Sequence, residues 1–113
     1  MSDCLFCKFV SGEIPVQKVY EDNDFIIIKD IAPMAKNHYL AIPKIHFKLL
    51  EEMDEQKSLA LARMLKKIPE LKETLNLQNG YRLVINQGDD AGQTVFHLHV
   101  HILSGQKMGW TPA

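Results

Sequence analysis

The sequence has few cysteines, no long apolar run and no excess of either charge. No stretch approaches the ~18 apolar residues of a membrane span, and the N-terminus shows no signal-peptide pattern, so the expected location is the cytoplasm. Thiols stay reduced there. The only two cysteines, spaced Cys4-x-x-Cys7, therefore point to metal or redox chemistry rather than a structural disulfide. Thirteen basic and fourteen acidic residues leave a net charge of −1, which supplies no long-range field to attract nucleic acid or an anionic membrane. An anionic substrate would have to be bound by local geometry. There is no repeat, low-complexity tract or linker, and no basic stripe of a nucleic-acid binder. What is present is an ordinary globular composition, 46% apolar over 113 residues, read as one domain spanning 1–113 with a modest core.

Residues 4–11 carry apolar positions at helical spacing and stop at Gly12, which reads as a short helix. Strands are expected at 16–21 and 25–29. The second is continuously apolar through Phe25-Ile26-Ile27-Ile28, as suits a central strand covered on both faces. Residues 39–42 form a third strand, ended by Pro43. From Asp54 the period changes: Leu61, Leu65, Ile68, Leu71 and Leu75 mark one buried stripe of a long helix, which Pro69 should kink or split near Lys67. Met34, Met53 and Met64 read as ordinary loop or helix packing. After Asn79-Gly80, strands are expected at 81–87 and 95–103. The order β-β-β-α-β-β gives an α+β fold, a five-stranded antiparallel sheet with one long helix and a short N-terminal one.

Three of the five histidines, His97, His99 and His101, alternate with apolar residues in the last strand. Side chains two apart share a face, so the imidazoles stand roughly 6.5–7 Å apart on one side. Phe96, Leu98, Val100 and Ile102 would pack into the core on the other. The imidazole row has three readings: idle solvent-facing residues, a metal site, or a nucleophile or general base with orienting neighbours. Imidazole suits nucleophilic work near neutral pH, where much of it is unprotonated. The preceding loop, Gly88-Asp89-Asp90-Ala91-Gly92-Gln93-Thr94, favours the third reading. Its glycines allow close backbone approach to a ligand, and Gln93 and Thr94 can donate to phosphate oxygens.

The run Gly92-Gln93-Thr94-Val95-Phe96-His97-Leu98-His99-Val100-His101-Ile102-Leu103 resembles the signature of the histidine triad (HIT) family. Further blocks agree in order: Cys4-Leu5-Phe6-Cys7-Lys8, Gly12-Glu13-Ile14-Pro15, Asp30-Ile31-Ala32-Pro33, His38 to Lys44 with His46, and Asn79-Gly80-Tyr81-Arg82. The tail Gln106-Lys107-Met108-Gly109-Trp110-Thr111-Pro112 resembles the Hint branch, whose members are typically purine nucleoside phosphoramidases. The resemblance implies hydrolysis of a P–N bond at a nucleoside 5′-α-phosphate, releasing AMP or GMP. His99 would be the nucleophile and carry a nucleotidyl intermediate. His101 and His38 would sit at the phosphate, with Gln93, Thr94 and Asn86 contacting the phosphate or the departing group. Asp30 would accept the ribose hydroxyls, and Leu5, Phe6, Phe9, Ile28 and Ile31 would form the slot for the base. Thr94 stands where many Hint members carry serine, and the Thr111-Pro112-Ala113 ending differs from the commoner Pro-Pro-Gly.

The same resemblance implies a structural zinc site at Cys4, Cys7, His46 and His97, a donor set that fits a tetrahedral ion. Zinc would fix the start of the catalytic strand rather than act on substrate. Some Hint members lack these cysteines, so the chemistry itself would require no cofactor. The resemblance also implies a homodimer, its sheet continued across the interface, with Trp110 as a candidate contact. Two alternatives stand beside the phosphoramidase: a dinucleoside polyphosphate hydrolase, and a zinc-stabilised nucleotide-binding or scaffold protein with little turnover.

Overall fold

A computed structural model describes residues 3–110; the Thr111-Pro112-Ala113 ending lies outside the described residues. Helix α1, Leu5–Ser11, begins where Cys4 Sγ accepts the Cys7 amide at 3.4 Å. It ends at Gly12, whose φ of +83° is the left-handed turn that glycine adopts most readily. Strands β1 (Lys18–Glu21) and β2 (Phe25–Lys29) form a hairpin. Asp22 closes its turn by accepting the amides of Asp24 and Phe25 at 2.7 and 3.1 Å. Strand β3 is Asn37–Pro43. A single 3-10 turn, Leu50–Glu52, precedes helix α2, Glu55–Glu70, which Asp54 caps by accepting the Lys57 amide at 2.9 Å. Helix α3, Lys72–Leu75, then leads to β4 (Tyr81–Val84) and β5 (Val100–Ser104).

The five strands form one antiparallel sheet in the order β1-β2-β3-β5-β4, so β5, although last in sequence, is flanked by β3 and β4. Alternation along each strand divides the apolar side chains between two cores. Phe25, Ile27, Tyr39, Ala41, Leu98, Val100 and Ile102 pack beneath α2 with Phe47, Leu61, Met64 and Ile68. Ile26, Ile28, Leu40 and Ile42 point the other way and are covered by Phe6 of α1. This two-sided burial is why β2 needs an unbroken apolar run.

Several details differ from the sequence expectation. Strands β1 and β4 are shorter than 16–21 and 81–87, and β3 is longer than 39–42. Pro69 lies in the last turn of α2, so the bond its missing amide forfeits is one of the last in the helix, and the axis breaks at Leu71 rather than near Lys67. Leu65 is exposed, and Ala60 and Met64 fill the stripe. At 100° per residue, Leu65 sits about 90° from the middle of the face shared by Ala60, Leu61, Met64 and Ile68. Met34 is exposed rather than packed. The last strand begins at Val100, so residues 95–99 lie outside the sheet ladder. Phe96 points outward, 56% exposed, while Leu98, Val100 and Ile102 are fully buried as expected.

Candidate active site

Because 95–99 are not paired as a strand, the first two histidines are held by individual contacts. The Leu98 amide donates to the Phe47 carbonyl at 2.7 Å, and its side chain is fully buried among the α2-face residues. His97 is also fully buried, and its Nε2 donates to the Pro43 carbonyl at 2.7 Å. A carbonyl can only accept, so the His97 proton is on Nε2 and its lone pair is on Nδ1. The carbonyl of His97 in turn accepts from His99 Nδ1 at 2.8 Å. The His99 lone pair is therefore on Nε2. Burial pushes the His99 pKa down, against the opposing effects of that hydrogen bond and of Asp30, so the ring is neutral at pH 7. The Phe6 ring stands edge-on to it, with centroids 4.9 Å apart.

His101 lies in the ladder proper, opposite Leu40 of β3 and Val84 of β4. His38 shares its face. The Met34 amide donates to His38 Nδ1 at 3.0 Å, which places the His38 proton on Nε2. That proton has two acceptors, His101 Nδ1 at 2.9 Å and Asp30 Oδ2 at 3.3 Å. Donation to His101 leaves the His101 proton on Nε2; Asn86 Nδ2, 3.5 Å away, is also a donor and makes no hydrogen bond to it in that tautomer. Burial lowers both pKa values, that of His101 to about 4, with the neighbouring His99 and His38 adding to the effect. Asp30 is turned by the Ala32 amide, which donates to Oδ1 at 2.9 Å.

A second constellation surrounds the Nδ1 lone pair of His97. Cys4 Sγ is 3.4 Å from it, Cys7 Sγ 3.5 Å and His46 Nδ1 3.1 Å; Cys7 Sγ is 3.2 Å from His46 Nδ1. Four donors around one zinc ion, at about 2.3 Å for sulfur and 2.0–2.1 Å for nitrogen, would stand about 3.3–3.8 Å apart. The donor set and the His97 tautomer both fit such an ion. Asp30, His38 and His101 are equally close together. They fit a metal poorly, because the Met34 amide keeps a proton on the His38 nitrogen that would have to ligate.

The residues expected at the nucleotide divide into two groups. Phe6 and Ile28 are buried in the core beneath α1, and Phe9 packs against them, its ring 5.8 Å from that of Phe6. Leu5 and Ile31 are exposed, Ile31 fully. Gln93 differs from expectation: its Oε1 accepts the Gly88 amide at 2.8 Å and its Nε2 donates to the Lys48 carbonyl at 3.0 Å. The side chain thus clamps its own loop rather than offering itself to a phosphate. Thr94 is exposed and lines a cavity of about 600 Å³ with Cys4, Leu5, His46, Lys48 and Phe96. The contacts that sequence reasoning missed are main-chain groups, namely the Pro43, Phe47 and His97 carbonyls and the Met34 amide. Every residue carries such groups, so no side-chain pattern marks them.

The fold and site together define an α+β protein whose last strand and its lead-in hold histidines of two adjoining centres, one a cluster of neutral imidazoles and one a Cys2His2 set. Residues 11–108 match the HIT domain, and the chain belongs to the HIT family. It is 44% identical to the protein HitA of Neisseria gonorrhoeae, over 91% of this chain and 96% of that one. The structure of a HIT family hydrolase from Legionella pneumophila superposes with a TM-score of 0.91 at 40% identity, covering 98% of this chain and all of that one. A zinc-bound histidine triad protein from Mycobacterium smegmatis superposes with a TM-score of 0.78 at 35% identity, covering 96% of this chain and 81% of that one. Among the described residues, no helix is long and apolar enough to cross a membrane.

Proposed function

We propose that the protein is a nucleotide hydrolase that cleaves a P–N bond at a purine nucleoside 5′-α-phosphate and releases AMP or GMP. The observation that carries this reading is the 2.8 Å bond from His99 Nδ1 to the His97 carbonyl, which leaves a buried neutral imidazole with its lone pair on Nε2. That nitrogen attacks phosphorus, the P–N bond breaks, and the amine departs with the bonding pair and takes up a proton. Water then attacks the nucleotidyl-histidine and gives up a proton that replaces the one taken by the amine, the P–N bond to His99 breaks with its pair returning to Nε2, and the monophosphate leaves. The proton-bearing Nε2 of His101, polarised through His38, is the group placed to stabilise or protonate at the phosphate. Asn86 adds an amide donor beside it. Asp30, turned by Ala32 and adjoining His38, takes the ribose hydroxyls, for which a carboxylate is a suitable acceptor. Phe6 and Phe9 back the base, with Leu5 and Ile31 at its rim. Thr94 supplies a hydroxyl on the side of the 600 Å³ cavity.

We further propose that Cys4, Cys7, His46 and His97 hold a structural zinc ion, which supplies cross-linking of α1, the loop after β3 and the catalytic segment. The donor set, the His97 tautomer and the zinc-bound relative support this. The protein would act in the cytoplasm as a homodimer, with the exposed edge of β4, which carries Leu83, as the line of contact between sheets.

The test is a substrate panel resolved by chromatography. Adenosine 5′-phosphoramidate should give AMP at a rate far above a diadenosine polyphosphate. Preference for the diadenosine compound would replace the phosphoramidase with a dinucleoside polyphosphate hydrolase. Tight AMP binding with turnover of neither would leave a binding protein.

A further inference from the structure

The Cys4–Cys7–His46–His97 cluster reaches further into the candidate nucleotide site than a remote staple would. Cys4 is at once a member of the cluster and the cap of α1. That helix has seven residues, well below the roughly 12–15 at which a helix begins to hold itself in water, so its position is set by what it docks against. The cluster holds its first turn, and Phe6 holds its inner face. The Phe6 ring meets two histidines edge-on, His97 with centroids 6.1 Å apart and His99 with centroids 4.9 Å apart. The main chain of His97 makes a second connection, its carbonyl accepting from His99 Nδ1 at 2.8 Å. Two short routes therefore run from the cluster to the nucleophile, one through the Phe6 ring and one through the His97 backbone.

We propose that metal occupancy of this cluster and nucleotide affinity are coupled, with Cys4 and Cys7 acting as positioning residues that present Phe6 and His99 to the nucleotide together. This rests on the zinc and nucleotide readings above. Coupling between two ligands is reciprocal: whatever factor zinc adds to nucleotide affinity, nucleotide adds to zinc affinity. A zinc ion that merely holds the fold together would raise the melting temperature and leave the AMP affinity of the folded protein unchanged.

The experiment measures the AMP dissociation constant by calorimetry on zinc-loaded and chelator-stripped protein, and zinc affinity by chelator competition with and without saturating AMP. Stripping should weaken AMP about tenfold, and AMP should tighten zinc by the same factor, within the usual span of site-to-site coupling. In Phe6→Leu the factor should fall toward one while both ligands still bind. If the stripped protein loses its fold, the cobalt(II)-loaded protein decides the matter, since AMP should then shift its thiolate-to-cobalt absorption bands. Unchanged bands, or equal AMP constants with and without zinc, would overturn the coupling and leave both parent readings standing. Failure to take up zinc overturns it together with the metal reading. Failure of the zinc-loaded protein to bind AMP overturns it together with the nucleotide reading.

Discussion

Leu98→Ala and Phe96→Ala separate two descriptions of the segment that carries His97 and His99. A regular strand from Val95 would turn both side chains into the core, and both truncations would be costly. In the structure only Leu98 is inside, fully buried against Phe47, Met64 and Ile68, while Phe96 is 56% exposed. Truncating a buried leucine removes the transfer free energy of three carbons and leaves a cavity, together about 3–4 kcal/mol at a site that cannot collapse. The walls here are the sheet and α2, neither of which can close the gap alone. Phe96→Ala should cost under about 1 kcal/mol, as most surface substitutions do. Urea unfolding of zinc-saturated protein, followed by circular dichroism, measures both. With a urea slope near 1.5 kcal/mol/M for a chain of this size, Leu98→Ala should lower the midpoint by about 2–3 M, and Phe96→Ala by well under 1 M. Comparable losses for the two variants would refute the outward Phe96 and, with it, the view that His97 and His99 are anchored by Leu98 rather than by strand pairing.

Further expectations concern the two centres and one turn. Cys7→Ser should lower the zinc content of purified protein well below one ion per chain, read by a colorimetric chelator, whereas His101→Gln should leave it unchanged. Asp30→Ala should weaken AMP about 10- to 100-fold, the worth of a charge-assisted hydrogen bond, and should abolish discrimination against 2′-deoxy AMP in a binding titration. His101 has a folded pKa near 4, below the ordinary imidazole value, so the unfolded chain binds more protons between the two. Its contribution is therefore intact above about pH 6.5 and is lost as pH falls toward 4; the fall of the urea midpoint over that window should be shallower in His101→Gln. Gly105 has a φ of +89°, and an added Cβ would lie 2.5 Å from Asn37 Nδ2. Gly105→Ala should accordingly cost about 1–2 kcal/mol in the same unfolding assay.

The apolar face of β2 and the periodicity of α2 made the layers of this fold legible before any coordinates. Two-sided burial demands an unbroken run, and one-sided burial demands a stripe. The alternation from Phe96 to Ile102 placed Leu98, Val100 and Ile102 in the core as expected but misplaced Phe96, and it gave the wrong extent of strand. Periodicity reports which side a residue faces, whereas ladder pairing depends on where the partner strand ends. Here β3 ends at Pro43, whose carbonyl takes the His97 ring instead of a strand amide. The Cys-x-x-Cys pair with His46 and His97 came together as expected. Gln93 did not behave as expected, because a side-chain amide that can donate to phosphate can equally close its own loop, and only the positions of Gly88 and Lys48 decide between them. The proton inventory of the histidines was wholly illegible, since main-chain groups at Met34, Pro43 and His97 set it.

The most direct test of the central claim is AMP release from adenosine 5′-phosphoramidate by wild type and His99→Ala, with AMP affinity measured on both. The account predicts a loss of several orders of magnitude in kcat/KM with AMP binding retained, because His99 alone supplies the attacking lone pair. Equal rates in the two proteins would contradict it and return the imidazole row to binding or scaffolding.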